Sequence, residues 1–263
     1  MPTTRELWTA GTWSTGPPPG PGPLVVDSWL VEDGAVRGLE HHFDRFHAAA
    51  TGIAGVAAAV VVDFLASVPS RLPTTGSWFP RVEAWPDGRL ALWVRPAPPR
   101  AATTRLWVPP GPDPRRVPGA KGPDLTALAA LRERAVRAGA DDAVLWAPDG
   151  AVLEAAHAAL LWWRDGALCR PPSTTLPSVT VALLEEVARQ SRVPLRRERC
   201  AVDELADRPV WTANALHGLR HAEGPSLPNY GGQSFAWWRA ELEATARPLH
   251  SSVDGAGATG DVR

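Results

Sequence analysis

The chain has 263 residues, enough to bury a sizeable core in two modest domains or one large one. Its 27 basic and 28 acidic residues nearly cancel, which removes the electrostatic case for a nucleic-acid or membrane-surface partner. Cys169 and Cys200 form no Cys-x-x-Cys pair, and the N-terminus MPTTRELW has no apolar export core. These features read as a reduced, cytoplasmic protein with both thiols in its core and no metal site. The longest apolar run, Ala48 to Val62, is cut by Asp63 and falls short of the roughly 20 residues that span a membrane.

The first 23 residues end in TGPPPGPGP and read as a poorly ordered lead-in, with at most a short strand at Glu6–Trp8. Leu24–Val31 and Ala35–Leu39 flank the turn Glu32-Asp33-Gly34, a hairpin signal. Helical spacing from His41 to Val68, stopped by Pro69, predicts one long helix. Trp78–Trp85 and Arg89–Arg95 form a second hairpin around Pro86-Asp87-Gly88, and Thr103–Val108 is a further strand. Residues 109–118 hold five prolines and read as a linker between domains. Helices are predicted over Asp124–Ala138, Val179–Arg192, Val202–Ala206 and Gly232–Arg247. Strands are predicted at Asp142–Ala147, Val152–Glu154, Leu160–Trp163, Ala167–Cys169, Leu195–Ala201 and Val210–Ala213. Residues 251–263 read as a disordered tail. Strands and helices mix without a regular βαβ cadence, so the fold class is α+β.

Lys121 is the sole lysine, the other 26 basic residues being arginine. Where composition drives lysine to arginine, a lysine persists where chemistry needs an amine that can lose its proton and form a carbon–nitrogen double bond; guanidinium cannot. Four local signals accompany it. His42-x-x-Arg45 opens the first long helix and could offer a planar fork to a phosphate, although an ordinary surface arginine fits the same pattern. Glu154 lies in the apolar segment AVLEAAHAALLWW, where a buried carboxylate would need a partner such as a protonated heterocyclic nitrogen; an edge glutamate facing water is the plainer alternative. LPSVT at 176–180 precedes a helix and could be an anion site or only a cap. TANAL at 212–216 ends a strand and could simply be a turn.

A lysine for an imine, a carboxylate for a pyridine nitrogen, and arginine with helix amides for a phosphate are the parts of a pyridoxal phosphate site. The chain resembles the fold-type IV pyridoxal phosphate enzymes in DSWLVEDGAVRGLEHHFDRF, in GAK before a helix, in GADDAVLWAPDGAVLEAAHAALLWWRDGALCRPP, in LPSVT and in TANALHGL. That family comprises branched-chain and D-amino acid aminotransferases and 4-amino-4-deoxychorismate lyase, and the resemblance spans residues 24–222. It implies a two-domain fold of the D-amino acid aminotransferase kind. A small N-terminal α/β domain (1–118) would precede a larger cofactor domain (119–250) with a β-barrel-like core. It implies pyridoxal 5'-phosphate bound to Lys121, which is also the acid/base, with Glu154 at the ring nitrogen. Arg45, Val179, Thr180, Asn214 and Ala215 would surround the phosphate. It further implies a small-molecule amino substrate and a homodimer.

Asn214-Ala215-Leu216 is closer to the lyase than to the aminotransferases, so the leading reading is elimination of pyruvate to give 4-aminobenzoate for folate or a secondary metabolite. A transaminase using Arg81 and Arg95 for a carboxylate is the alternative, and a non-catalytic cofactor-binding relative is the third. Two departures stand out. Ala159 occupies the position where family members carry Asn, and the proline-rich lead-in replaces the usual approach to the first strand.

Overall fold

Short β-branched and apolar runs separated by Gly-containing turns build the first layer. A computed structural model describes residues 4–9, 11–16, 22–172 and 175–249. The reading of 251–263 as a disordered tail, and part of the proline-rich lead-in, lie outside them. Strands β1 (Thr4–Thr9) and β2 (Thr12–Thr15) pair as a hairpin, more than the one short strand predicted there. Trp8 and Trp13 explain it: their rings meet edge to face at 5.1 Å and both rest on Phe64, so aromatic burial holds a segment that its proline content made look loose.

β3 (Val25–Ser28), β4 (Val31–Glu32) and β5 (Ala35–Arg37) follow, the last two joined by a turn in which Asp33 and Gly34 both take positive φ. The single helix predicted over 41–68 is two, α1 (Leu39–Gly52) and α2 (Ala58–Ser67). Gly55, at φ +68, turns the chain between them. β6 (Ser77–Trp78), β7 (Arg81–Ala84) and β8 (Leu90–Val94) complete this region, with β7–β8 the hairpin expected. The sheet runs β2-β1-β8-β7-β3. One of its faces packs Trp8, Val82, Leu90 and Leu92 against Phe46, Val61 and Phe64 of α1 and α2.

β9 (Thr103–Thr104) and β10 (Leu106–Trp107) lead through the prolines to α3 (Leu125–Arg137). Then come β11 (Asp142–Trp146), β12 (Val152–Ala155), β13 (Ala159–Arg164), β14 (Ala167–Arg170), α4 (Val179–Gln190) and β15 (Leu195–Arg197). The helix predicted near 202–206 is a 3-10 turn at Glu204–Asp207. β16 (Val210–Asn214), β17 (Gly218–Ala222), α5 (Phe235–Ala244) and β18 (Ala246–Pro248) end the described chain. The last helix is therefore shorter than predicted, because its final residues are a strand paired with β5.

A six-stranded sheet, β15-β14-β13-β16-β17-β9, carries α4 and α5 over a core of Trp163, Trp211, Tyr230 and Trp238. Its other face shares a second core with the three-stranded sheet β10-β11-β12, where Cys169 and Cys200 lie buried and unpaired. The barrel-like core is thus two sheets around one apolar filling; no ladder closes among the described residues. The architecture is α+β, as the sequence indicates. Among the described residues no helix is long and apolar enough to cross a membrane.

Candidate active site

The proline-rich run before Lys121 is held at several points. Asp113 N–H donates to the Trp146 carbonyl at 2.8 Å, and the amides of Arg116 and Val117 donate to Asp124 Oδ2 at 3.1 and 2.8 Å. The chain then reaches β3, where Val26 N–H donates to the Lys121 carbonyl at 2.8 Å. Gly122 makes that approach possible: at φ +150, a Cβ there would sit 2.1 Å from the Leu24 carbonyl oxygen. No larger residue fits, so glycine fixes the lysine backbone against the strand.

Lys121 is half-buried and lines a cavity of about 800 Å³ between β3, α1 and the start of α4. Burial is the main influence holding its amine below the ordinary lysine range. The Arg45 charge pushes the same way, Asp27 and Glu154 oppose it, and Arg81 adds a further repulsion. The net effect favours a neutral, nucleophilic amine.

Arg45 leans into the same cavity from α1. Its Nε and Nη2 donate to the two Asp27 carboxylate oxygens at 2.7 and 2.8 Å, and Nη1 donates to the Pro177 carbonyl at 2.7 Å. His42, one turn earlier, places Nδ1 2.8 Å from Asp27 Oδ1. Burial alone would raise the Asp27 carboxyl, but Arg45 and His42 together hold it far below the usual carboxylate range. His42 itself is pushed down by burial, against the pull of Asp27. Asp27 thereby aims the arginine at the entry of α4. There Ser178 Oγ accepts from Val181 N–H at 3.3 Å, and the amides of Val179 and Thr180 are ones that helix geometry leaves without an intrahelical acceptor.

Glu154 is 5% exposed on β12. Its Oε1 accepts from Arg115 Nη1 at 2.6 Å and from Leu176 N–H at 3.2 Å, and Leu176 lines the lysine cavity. Arg115 also donates from Nε and Nη2 to Asp113. Burial pushes the Glu154 carboxyl up, while Arg115 and the Leu176 amide pull against it.

Of the residues singled out from sequence, Lys121, Arg45 and Val179 line one cavity, Glu154 reaches it through Leu176, and Thr180 is buried one residue further along α4. Asn214 and Ala215 lie at the β16–β17 turn, outside that lining. Asn214 Oδ1 accepts from His217 N–H at 2.8 Å and its Nδ2 donates to the His157 carbonyl at 3.1 Å, while the Ala215 carbonyl accepts from Arg37. Sequence reasoning missed Asp27 and Arg115. An acid within LVVDSWLV signals the first; nothing marks one arginine among 26 for the second.

The family model described as "Amino-transferase class IV" matches residues 24–223. The chain belongs to the class IV aminotransferase family. It is accordingly an enzyme of a pyridoxal phosphate-dependent class. No curated protein matches the chain. In fold it is similar to the fold IV transaminase CpuTA1 of Curtobacterium pusillum, with 21% identity, a TM-score of 0.72 and coverage of 92% of this chain and 96% of that one. The branched-chain aminotransferase of Thermoproteus uzoniensis gives 15% identity, a TM-score of 0.74 and coverage of 94% and 100%. A protein of Legionella pneumophila provisionally assigned as a 4-amino-4-deoxychorismate lyase gives 16%, 0.66, and coverage of 77% and 83%.

The donor set suits the family's cofactor. A cavity-lining amine with a lowered pKa can condense with an aldehyde, a guanidinium beside a helix entry can take a phosphate, and a buried carboxylate lies behind the cavity wall.

Proposed function

We propose that the chain is a lyase of the 4-amino-4-deoxychorismate lyase type, eliminating pyruvate from an aminated cyclohexadiene to give 4-aminobenzoate. The observation that carries the reading is the Lys121 amine in a cavity that Arg45, Asp27 and Val179 also line, its charged form disfavoured by burial. When bound, pyridoxal 5'-phosphate supplies the aldehyde for that amine and a ring that withdraws electrons from the substrate carbon.

The chain's own residues do the rest. Arg45, with the amides of Val179 and Thr180, holds the phosphate, and Asp27 keeps the guanidinium pointed at it. Glu154, steadied by Arg115 and the Leu176 amide, serves the ring nitrogen. Lys121 in its neutral form takes the proton from the carbon bearing the substrate's amine and returns one to the departing pyruvate. Aromatisation favours the products, so one movable proton carrier suffices. Asn214 and Ala215 support the β16–β17 turn. The wording Asn-Ala-Leu at 214–216 favours the lyase over its transaminase relatives. The same reading makes the protein a cytoplasmic homodimer feeding folate synthesis or a related pathway.

Release of pyruvate and 4-aminobenzoate with no amino acceptor present is the expected result, abolished in Lys121→Ala together with the visible absorbance of the lysine-bound cofactor. Turnover that depends on a 2-oxo acid acceptor would replace the lyase with a transaminase. Cofactor absorbance without either turnover would leave a non-catalytic relative.

A further inference from the structure

The turn between β12 and β13 carries a histidine that the reading above leaves unused. His157 Nδ1 lies 3.3 Å from Asp142 Oδ1, its N–H donates to Asp142 Oδ2 at 3.1 Å, and its carbonyl accepts from Asn214 Nδ2 at 3.1 Å. Asp142 is buried, and its Oδ1 also accepts from Ala143 N–H at 2.9 Å. The imidazole is thus held from behind while it lines a cavity of about 480 Å³. The rest of that lining is one face of α3: Ala129, Arg132, Glu133, Val136 and Arg137, spaced three and four apart. It shares no residue with the lining of the Lys121 cavity.

The charges here do not balance. Glu133 is the carboxylate of the lining, set against Arg132 and Arg137, and neither arginine enters an ion pair among the described residues. A third arginine stands behind the wall. Arg220 on β17 is 6% exposed, its Nε is buried with no hydrogen-bond partner, and it too enters no ion pair among the described residues. Burial holds it below the ordinary arginine range, Asp142 and Asp141 oppose this, and the Arg132 charge adds to it, so these groups share one neighbourhood. Neither acid is spare: Asp142 is engaged by the His157 turn and Asp141 by Arg105. Thr212, directly across the ladder from Arg220, also buries an Oγ1 with no partner. His217 records the same surplus, pushed down to about 4 by burial and then by the charges of Arg220, Arg100 and Arg132. A buried donor without an acceptor costs stability until an acceptor arrives.

We propose that Arg132, Arg137 and His157, backed by Arg220, form a second anion site, apart from the cofactor cavity, for a dianionic phosphate group. Guanidinium forks match phosphate oxygens in geometry, and several cations around one small space suit a dianion better than a carboxylate. Free phosphate and a phosphorylated small molecule present the same group.

The test uses the full chain loaded with pyridoxal 5'-phosphate and freed of excess, so that Arg45 is already engaged. Inorganic phosphate, glycerol phosphate and acetate are titrated by calorimetry at constant ionic strength in chloride. Phosphate is expected to bind at least tenfold more tightly than acetate. Glycerol phosphate binding more tightly still supports a phosphorylated metabolite as the source, and weaker binding supports the free ion. Arg132→Gln should weaken phosphate by about 10-fold, the scale for losing a charge-assisted contact. Arg134→Gln should leave it unchanged, since that arginine lies over the Trp107 ring, outside the lining. In histidine-labelled protein, the His157 ring signal should move with added phosphate and hold still in Arg132→Gln. Phosphate should raise Tm, and Arg220→Met should lose at least half of that rise; if that variant does not fold, the exposed Arg132 position decides alone. Equal affinities for phosphate and acetate, or equal losses in Arg132→Gln and Arg134→Gln, overturn the proposal. So does bleaching of the lysine-bound cofactor in step with phosphate binding, which would place the ion at Arg45.

Discussion

Asp27 illustrates how one buried carboxylate can organise a site from its wall. Its two oxygens are taken by Arg45 and His42, so removing the charge strands a guanidinium on the cavity wall. Asp27→Asn should lose about 3 kcal/mol of stability at neutral pH, the scale for breaking a buried ion pair. Because the folded carboxyl titrates far below its unfolded value of about 3.9, this contribution is complete above roughly pH 5. It fades as pH falls through 4 towards the folded value. Urea denaturation of both proteins across that window should show the gap closing only on the acid side. Arg115 plays the matching part for Glu154. Arg115→Met should cost about 3–5 kcal/mol in the same assay, and Arg115→Lys should recover only part, because ammonium cannot reproduce the paired donation to Asp113. Lys121 was legible from its scarcity. Arg115 was not, since an arginine among prolines looks like any solvated linker charge until the fold folds it inward.

At the scale of elements, hairpins were the most legible because their turns are chemically specific: Asp33-Gly34 and Pro86-Asp87-Gly88 each sit where the sequence put them. The long first helix was not. Its apolar spacing continues through Gly52 to Gly55, and periodicity alone does not register that a glycine at φ +68 reverses the chain. The start of α4 was readable as a cap, and Ser178 does cap it. Ser178→Ala should therefore lower stability by about 1 kcal/mol, measured by chemical denaturation, and should weaken cofactor affinity only modestly. A loss of affinity as large as that of an Arg45 variant would mean that the hydroxyl itself holds the phosphate.

For the whole molecule, the α+β class and the family followed from motifs spread over most of the chain, whereas the path of the chain's end did not. Residues 245–247 continue an amphipathic helical pattern, yet the chain leaves the helix at Thr245 because β5 offers an open edge. Leu249 N–H then donates to the Gly34 carbonyl at 2.8 Å, and its side chain packs on the N-terminal core. A chain ending at Ala244 should lose about 2 kcal/mol, or roughly 4–8 °C in Tm by calorimetry, through unpaired backbone and exposed apolar surface.

That strand has a consequence during synthesis. A ribosome releases Ala35–Arg37 some two hundred residues before Ala246–Pro248, so at about 5–20 residues per second the nascent β5 margin stays bare for on the order of 10–40 s. Through that interval an unsatisfied ladder is available to any extended peptide nearby. Translation speed then sets how long that ladder is on offer.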